Sequence, residues 1–420
     1  MAVRDADIRG TTADAPERSG PVTIDVTDAA YWSDPHPHLR VARERYPLAR
    51  LSLLDCWIVL RYADVEAAFK DPRLAQTSTE FFEAVGITEG PLWEWWRHTP
   101  IAQNPPEHTR IRGHIGKAFT PRRSDLMREM TRRIAGEIVE RALESRGMDV
   151  VADFADVVPV RVISAMLGVP EGDYKQFAKW TKDLALALSP VISPEDRVVV
   201  EAALVGLYGY VTELLAERRA RPREDLLSAL VAVEQEGTRL STDELNAMVV
   251  GLLFGGHDTT KSLVSIATWV LGTHADQLAL LREDVRGRIE GTIEEILRWE
   301  PPITATVRRA AEPLEIGGIA IAPGELVTLS MISANRDARR FRDPDRLDIL
   351  RTERTHFTFG HGIHFCIGAS LARAEAQEAV PILFGLTGRH RLEVETDRPS
   401  WVPMTAIRLM KSLPVRLTPG

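Results

Sequence analysis

Residues 359–368 read Phe-Gly-His-Gly-Ile-His-Phe-Cys-Ile-Gly, and the helix-prone run ASLARAEAQEAVPILFGL follows directly. Gly360, Gly362 and Gly368 surround the single thiol of Cys366. Glycine tolerates positive φ and lets backbone approach a ligand closely, so such a loop can wrap a sulfur and aim N–H groups at it. The helix beyond Gly368 offers its positive end, which favours a thiolate over a thiol. The stretch therefore predicts a negatively charged sulfur presented to a metal.

Two other readings compete with this one. His361, His364 and Cys366 could hold zinc within a helical scaffold, but structural zinc takes four ligands and the chain has no second Cys pair. An inert core cysteine in a Gly-rich turn leaves the two Phe and two His around it unexplained. The loop matches Phe-x-x-Gly-x-His/Arg-x-Cys-x-Gly at Phe359, Gly362, His364, Cys366 and Gly368, and by this it resembles the cytochrome P-450 superfamily of haem-thiolate monooxygenases. The resemblance, which spans roughly residues 25–420, implies a mainly α, triangular single domain with small β-sheets. It makes Cys366 the axial ligand of haem b, with Phe359, Gly360 and Gly368 shaping the loop and His364 reaching a haem propionate.

A second stretch speaks to the same chemistry. Ser241-Thr242-Asp243-Glu244 has capping-box spacing, and from Leu245 to Leu271 apolar residues run nearly all round, predicting a helix buried on most faces. Gly255-Gly256-His257-Asp258-Thr259-Thr260 interrupts it with two glycines that each cost about 1 kcal/mol against Ala in a helix. The Thr259 hydroxyl, four residues after Gly255, can bond that carbonyl and open a local groove for a flat ligand. The resemblance places Gly255 against the cofactor. It implies that Thr259 hydrogen-bonds dioxygen while Asp258 relays protons. A binding or sensing protein without turnover is the alternative, and the Asp258-Thr259 pair argues against it.

Further positions follow from the resemblance. His108 and Arg112, four apart after Pro105-Pro106, and Arg308 in Thr306-Val307-Arg308-Arg309-Ala310 are expected to hold the propionates. Glu295 and Arg298, followed by Pro301-Pro302, are expected to form a structural pair with Arg346. Thr77 to Asn104 is where the family varies its substrate lid. Its aromatic density suggests that Trp93 or Trp96 lines an apolar pocket, and the resemblance adds Phe254, Thr304 and Ile407 at the family's pocket positions. Packing of the loop to the core is the bland equivalent.

Composition sets outer bounds. The chain has 420 residues, 44% hydrophobic and 27% charged, which excludes collagen and disorder. A net charge of −8 argues against a general nucleic-acid or anionic-membrane surface. Arg110, Arg112, Lys117, Arg122 and Arg123 nevertheless outnumber Glu107 and Asp125 locally, which suits an acidic ferredoxin. That donor and its reductase, drawing on NAD(P)H, would supply electrons for O2 and an apolar small-molecule substrate. Two cysteines give no disulfide framework and predict a reducing, cytoplasmic setting. Cys56 lies in a hairpin-like run, 47–64 with its turn at Leu54-Asp55, and reads as a packed apolar residue. A second hairpin is expected over 314–330, turning at Gly317-Gly318 and Pro323-Gly324. Residues 1–24 read as a polar tail without the apolar core of a signal peptide. The apolar stretch from Leu245 to Gly256 is shorter than the roughly 20 residues of a membrane span, so no membrane association is expected.

Overall fold

The computed structural model describes residues 22–419 apart from 53–55, 189–191, 236–239, 387, 389 and 405. Most of the expected tail and the Leu54-Asp55 turn lie outside the described residues. Helices dominate. Helices α1 (Ala29–Ser33), α2 (His36–Arg45) and α3 (Tyr62–Lys70) interleave with strands β1 (Thr23–Ile24), β2 (Leu48–Leu51), β3 (Cys56–Val59) and β4 (Leu74–Gln76). Next come α4 (Glu80–Ala84), α5 (Pro91–His98), α6 (Glu107–Ala118), α7 (Pro121–Ser145) and strand β5 (Gly147–Asp149). A π-helical turn, Val150–Ala155, leads into α8 (Val157–Leu167), α9 (Tyr174–Ala185), α10 (Pro194–Ala220) and α11 (Leu226–Gln235).

The 32-residue α12 (Thr242–Thr273) is the axis of the body. Its capping box is present as the sequence predicts, with the Ser241 side chain accepting from Glu244 N and the Glu244 carboxylate accepting from Ser241 N. Residues on nearly every face are buried, among them Leu245, Val249, Leu253, Leu263 and Val270, because α8, α9 and α10 cover one side and α16 another. Beyond it run α13 (Ala275–Glu283) and α14 (Val285–Trp299), the strands β6 (Ala305–Ala310), β7 (Leu314–Ile316), β8 (Ile319–Ile321) and β9 (Leu326–Ser330), and α15 (Met331–Ala334). The chain ends on α16 (Ala369–Leu383), β10 (His390–Val394) and β11 (Pro414–Pro419).

Among the described residues three sheets flank the helices: a six-stranded one in the order β1-β2-β3-β9-β6-β4, a three-stranded one, β10-β11-β5, and the β7-β8 pair. Cys56 is fully buried in β3, with its sulfur 3.4 Å from Thr328 Oγ1 on β9, in keeping with a packing role. The expected hairpin at 314–330 forms only in part. Gly317 and Gly318, at φ +58° and +81°, turn β7 into β8, whereas β9 leaves the pair and joins the large sheet between β3 and β6. That placement sets Arg308 opposite Val327 on β9 and Gln76 on β4. The strand at 147–149 is too short to show a period, whereas those at 390–394 and 414–419 carry one, with Leu392 and Val394, and Val415 and Leu417, alternating with polar residues.

Helix α10 is long and apolar enough to cross a membrane by length and composition. Its Val200, Leu204, Leu207 and Val211 are buried in the main core instead, beside α9 and α12.

Candidate haem and oxygen-activation site

The cysteine loop is closed by its own backbone. Cys366 N donates to Phe359 O at 2.8 Å, and Phe365 N donates to Gly362 O at 3.1 Å. Gly360 and Gly362 sit at φ +71° and +70°, where a side chain is strained, and a Cβ on Gly362 would come within 3.1 Å of the Phe69 carbonyl. The Phe359 ring is covered by the Arg373 guanidinium at 4.3 Å, which also forms a two-pronged pair with Glu294. Arg373 gave no motif signal, since an Arg in a helix reads as a solvated face.

Cys366 is exposed at the surface of the loop although many protein atoms surround it. This surrounding burial pushes its thiol above the ordinary value, against the N–H groups of Gly368 and Ala369 and the charges of Arg112 and Arg373, which lower it. The N–H groups at the helix start thus favour the thiolate, as the sequence predicts, while burial opposes them. A bound metal would tip this balance to the thiolate, because coordination deprotonates the sulfur outright.

Next to the loop, the basic side chains of His108, Arg112 and Arg308 gather, and among the described residues none of them pairs with a carboxylate. The rings of His108 on α6 and His364 stand 4.0 Å apart. Arg112 Nη2 donates to the Phe365 carbonyl. Arg308 is only 6% exposed, and its Nη1 donates to Thr306 Oγ1 and the Val307 carbonyl. Burial lowers the Arg308 pKa to about 10. Burial, then the charges of His108, Arg308 and Arg112, push His364 down to about 3, so it is neutral at pH 7. His108 Nδ1 is buried without a partner. Among the described residues, no carboxylate forms an ion pair with Arg112 or Arg308. A buried, unpaired guanidinium is costly. An anionic group with two carboxylates, as haem carries, would repay that cost, so the residues fit the cofactor. Arg309, by contrast, points away and pairs with Glu80 at 3.2 Å.

On α12, the Thr259 hydroxyl donates to Gly255 O at 2.5 Å, the bond the spacing predicted. Space is open above Gly251 and Gly255, whereas a Cβ on Gly256 would press on Ile163 of α8 at 3.2 Å. The first two glycines thus leave a groove, and the third serves helix packing. Asp258 is buried, and burial raises its carboxyl pKa.

Glu295 and Arg298 form a buried bidentate pair at 2.8 Å for each contact. Their third member is Arg351, whose Nε donates to Glu295 Oε1 at 3.2 Å, and not Arg346. Arg346 ends the turn begun at Asp343, its side chain is exposed, and only its carbonyl meets Arg298 and Arg351. The sequence offered several arginines near Pro344 and nothing to separate them.

The lid segment contains α4 and α5. The Trp95 ring, and not that of Trp93 or Trp96, meets Phe254 of α12, edge to face at 5.6 Å. Trp93 is turned to the rim, where Arg97 covers it and its indole N–H donates to Glu83. Trp96 donates to Ser78 O at 2.8 Å and packs on Phe82. One-residue steps on a helix turn side chains by about 100°, so three clustered tryptophans cannot share one face. Thr304 and Ile407 are brought together by the Ile303–Ile407 bridge and the Thr304 N to Ala406 O bond. In the basic patch, Arg110 is paired with Glu244, which leaves Lys117 and Arg122 exposed. The Ser124–Ser370 contact at 2.9 Å sets the start of α7 beside the start of α16, next to the exposed Ile363 and Phe365.

Comparison with known proteins agrees with this geometry. The family model for cytochrome P-450 matches residues 92–385. The vitamin D(3) 25-hydroxylase of Pseudonocardia autotrophica is 37% identical over 401 residues, 94% of this chain and 96% of that protein. The 6-deoxyerythronolide B hydroxylase of Saccharopolyspora erythraea is 36% identical, covering 89% of this chain and 94% of its own. The crystal structure of CalO2 superposes with a TM-score of 0.87 at 32% identity, covering 95% of this chain and 100% of the other.

Proposed function

The chain belongs to the cytochrome P-450 family and is a monooxygenase of the bacterial type, and from that premise we propose what its residues do and on what. Residues 25–420 act as one haem domain that oxidises, typically by hydroxylation, an apolar small organic molecule such as a natural-product intermediate. The observation that carries the reading is the pair of unpaired guanidiniums, Arg112 and Arg308, beside the open sulfur of Cys366 and facing no carboxylate. Haem b bound there supplies an iron centre that activates O2 with two electrons. Cys366 would ligate that iron, and His108, Arg112, Arg308 and His364 would hold the propionates.

The remaining roles belong to the chain. Phe359, Gly360 and Gly368 keep the sulfur loop in place, and Glu295, Arg298 and Arg351 brace the segment leading into it. Gly255 leaves room for a flat ligand. Thr259 orients its hydroxyl over that groove, fixed by the Gly255 carbonyl. Asp258, whose carboxyl pKa is raised by burial, offers a proton-carrying Oδ2 one residue away. Phe254, backed by Trp95, with Thr304 and Ile407, gives the pocket an apolar wall.

Electrons come from NAD(P)H by way of a separate ferredoxin and reductase in the cytoplasm. Lys117 and Arg122 around Ile363 and Phe365 make a basic rim with an apolar centre, which suits an acidic donor. Screening apolar ligands for low-to-high-spin shifts, followed by substrate-dependent NADPH consumption with a surrogate ferredoxin pair, tests the reading. With a substrate so found, Thr259→Ala should send most reducing equivalents to hydrogen peroxide. Undiminished coupling to product would remove the threonine from the mechanism.

A further inference from the structure

Asp258 is 5% exposed and its Oδ2 has no hydrogen-bond partner. A carboxyl that gives up protons in turnover must regain them, and Asp258 is enclosed by protein. Behind it, away from the Gly255 groove, sits a second cluster. Ligating atoms of Asp156, His257 and Asp258 all lie within 4.8 Å of one another. Asp156 follows the π-helical turn, and its Oδ1 takes the Lys261 ammonium. His257 is wholly buried, with Nε2 2.9 Å from the Asp156 carbonyl and 3.4 Å from Asp156 Oδ1, and Nδ1 2.7 Å from Thr181 Oγ1 on α9.

A metal does not suit this cluster. A main-chain carbonyl only accepts, so His257 Nε2 carries a proton, and Asp156 Oδ1 is taken by Lys261. The exposures run in order instead: the Asp156 side chain is 25% exposed and that of Lys261 16%, while His257 and Asp258 are enclosed. One water can span two oxygens up to about 5.6 Å apart through two hydrogen bonds.

We propose that Asp156 and Lys261 are positioning residues at the solvent-side end of a proton path to Asp258. Each proton that Asp258 releases toward the Thr259 groove is replaced by one from a water held by Asp156 and Lys261, and that water draws its own from bulk solvent. His257 stays out of the transfer and fixes Asp156 by its bond to the carbonyl. The charged or titratable groups that act on Asp258 are His257 and Lys261 on its own helix, Asp156, and Lys182 on α9.

The inference rests on Asp258 being the proton donor, but its test is read without turnover, so the two can fail separately. The ferric holoenzyme is mixed rapidly into D2O, and the downshift of the protonated Asp258 carboxyl band is followed by infrared spectroscopy. Asp258→Asn identifies that band and separates it from that of Glu375, a buried carboxyl whose two oxygens both lack partners. In Asp156→Asn the exchange should slow about tenfold or more with haem content unchanged, and slowing of less than about threefold overturns the path. Lys261→Gln, read by the same thresholds, decides the matter if Asp156→Asn loses haem.

Discussion

Asp258 and Thr259 are adjacent in sequence, yet one is enclosed by protein and the other faces the groove. The difference has a measurable consequence for Asp258. Burial raises its folded pKa above the unfolded value of about 3.9. Protons are then held more tightly by the folded state, so the contribution of this group to stability is fully present below the unfolded value and is lost as pH rises through the folded one. Asp258→Asn removes that loss. Its melting temperature relative to the parent should be a few degrees higher at pH 8 than the same comparison gives at pH 4. Equal differences at both pH values would contradict the assignment. At this scale the sequence was legible where spacing fixed a contact, since the Thr259 hydroxyl meets the Gly255 carbonyl as expected and His108 and Arg308 lie near enough to His364 to act on it. It was not legible where only a fold can choose between like residues, as with Arg351 over Arg346 or Trp95 over Trp93.

Among elements, α12 was the easiest to foresee and the six-stranded sheet the hardest. A buried helix writes its boundaries into a capping box and an all-round apolar run, and both are local. The sheet joins β3 to β9 across some 270 positions, and β9 abandons its hairpin neighbour to do so. No period within 314–330 contains that information. The segment between α14 and the cysteine loop depends on the same long-range logic, since Glu295 on α14 accepts from Arg298, Arg351 and the Asp348 N–H. Removing Arg351 takes one charge-assisted hydrogen bond from the buried Glu295, which keeps Arg298, so Arg351→Ala should destabilise the holoenzyme by about 1.5–3 kcal/mol. Arg346→Ala should stay within about 0.5 kcal/mol. Urea titration of both variants checks this, and equal losses would restore Arg346 as the partner.

Taken whole, the molecule is acidic while the face around Ile363 and Phe365 carries exposed Lys117 and Arg122. Arg128 and Arg132, further along α7, are already paired with Glu378. Electrostatic docking is screened over about 8 Å at physiological salt. Reduction by an acidic ferredoxin should therefore slow about tenfold in Arg122→Glu at low salt, with the difference shrinking as salt rises. Stopped-flow reduction across a salt series checks this, and a salt-independent effect would point to packing instead. The larger claim is that α6, α12, β6 and the 359–368 loop converge on one cofactor bound through Cys366. The carbon monoxide difference spectrum of the reduced protein tests it most directly. The parent should give the thiolate-type carbonyl band and Cys366→Ala should lose it; retention of that band in the variant would contradict the account.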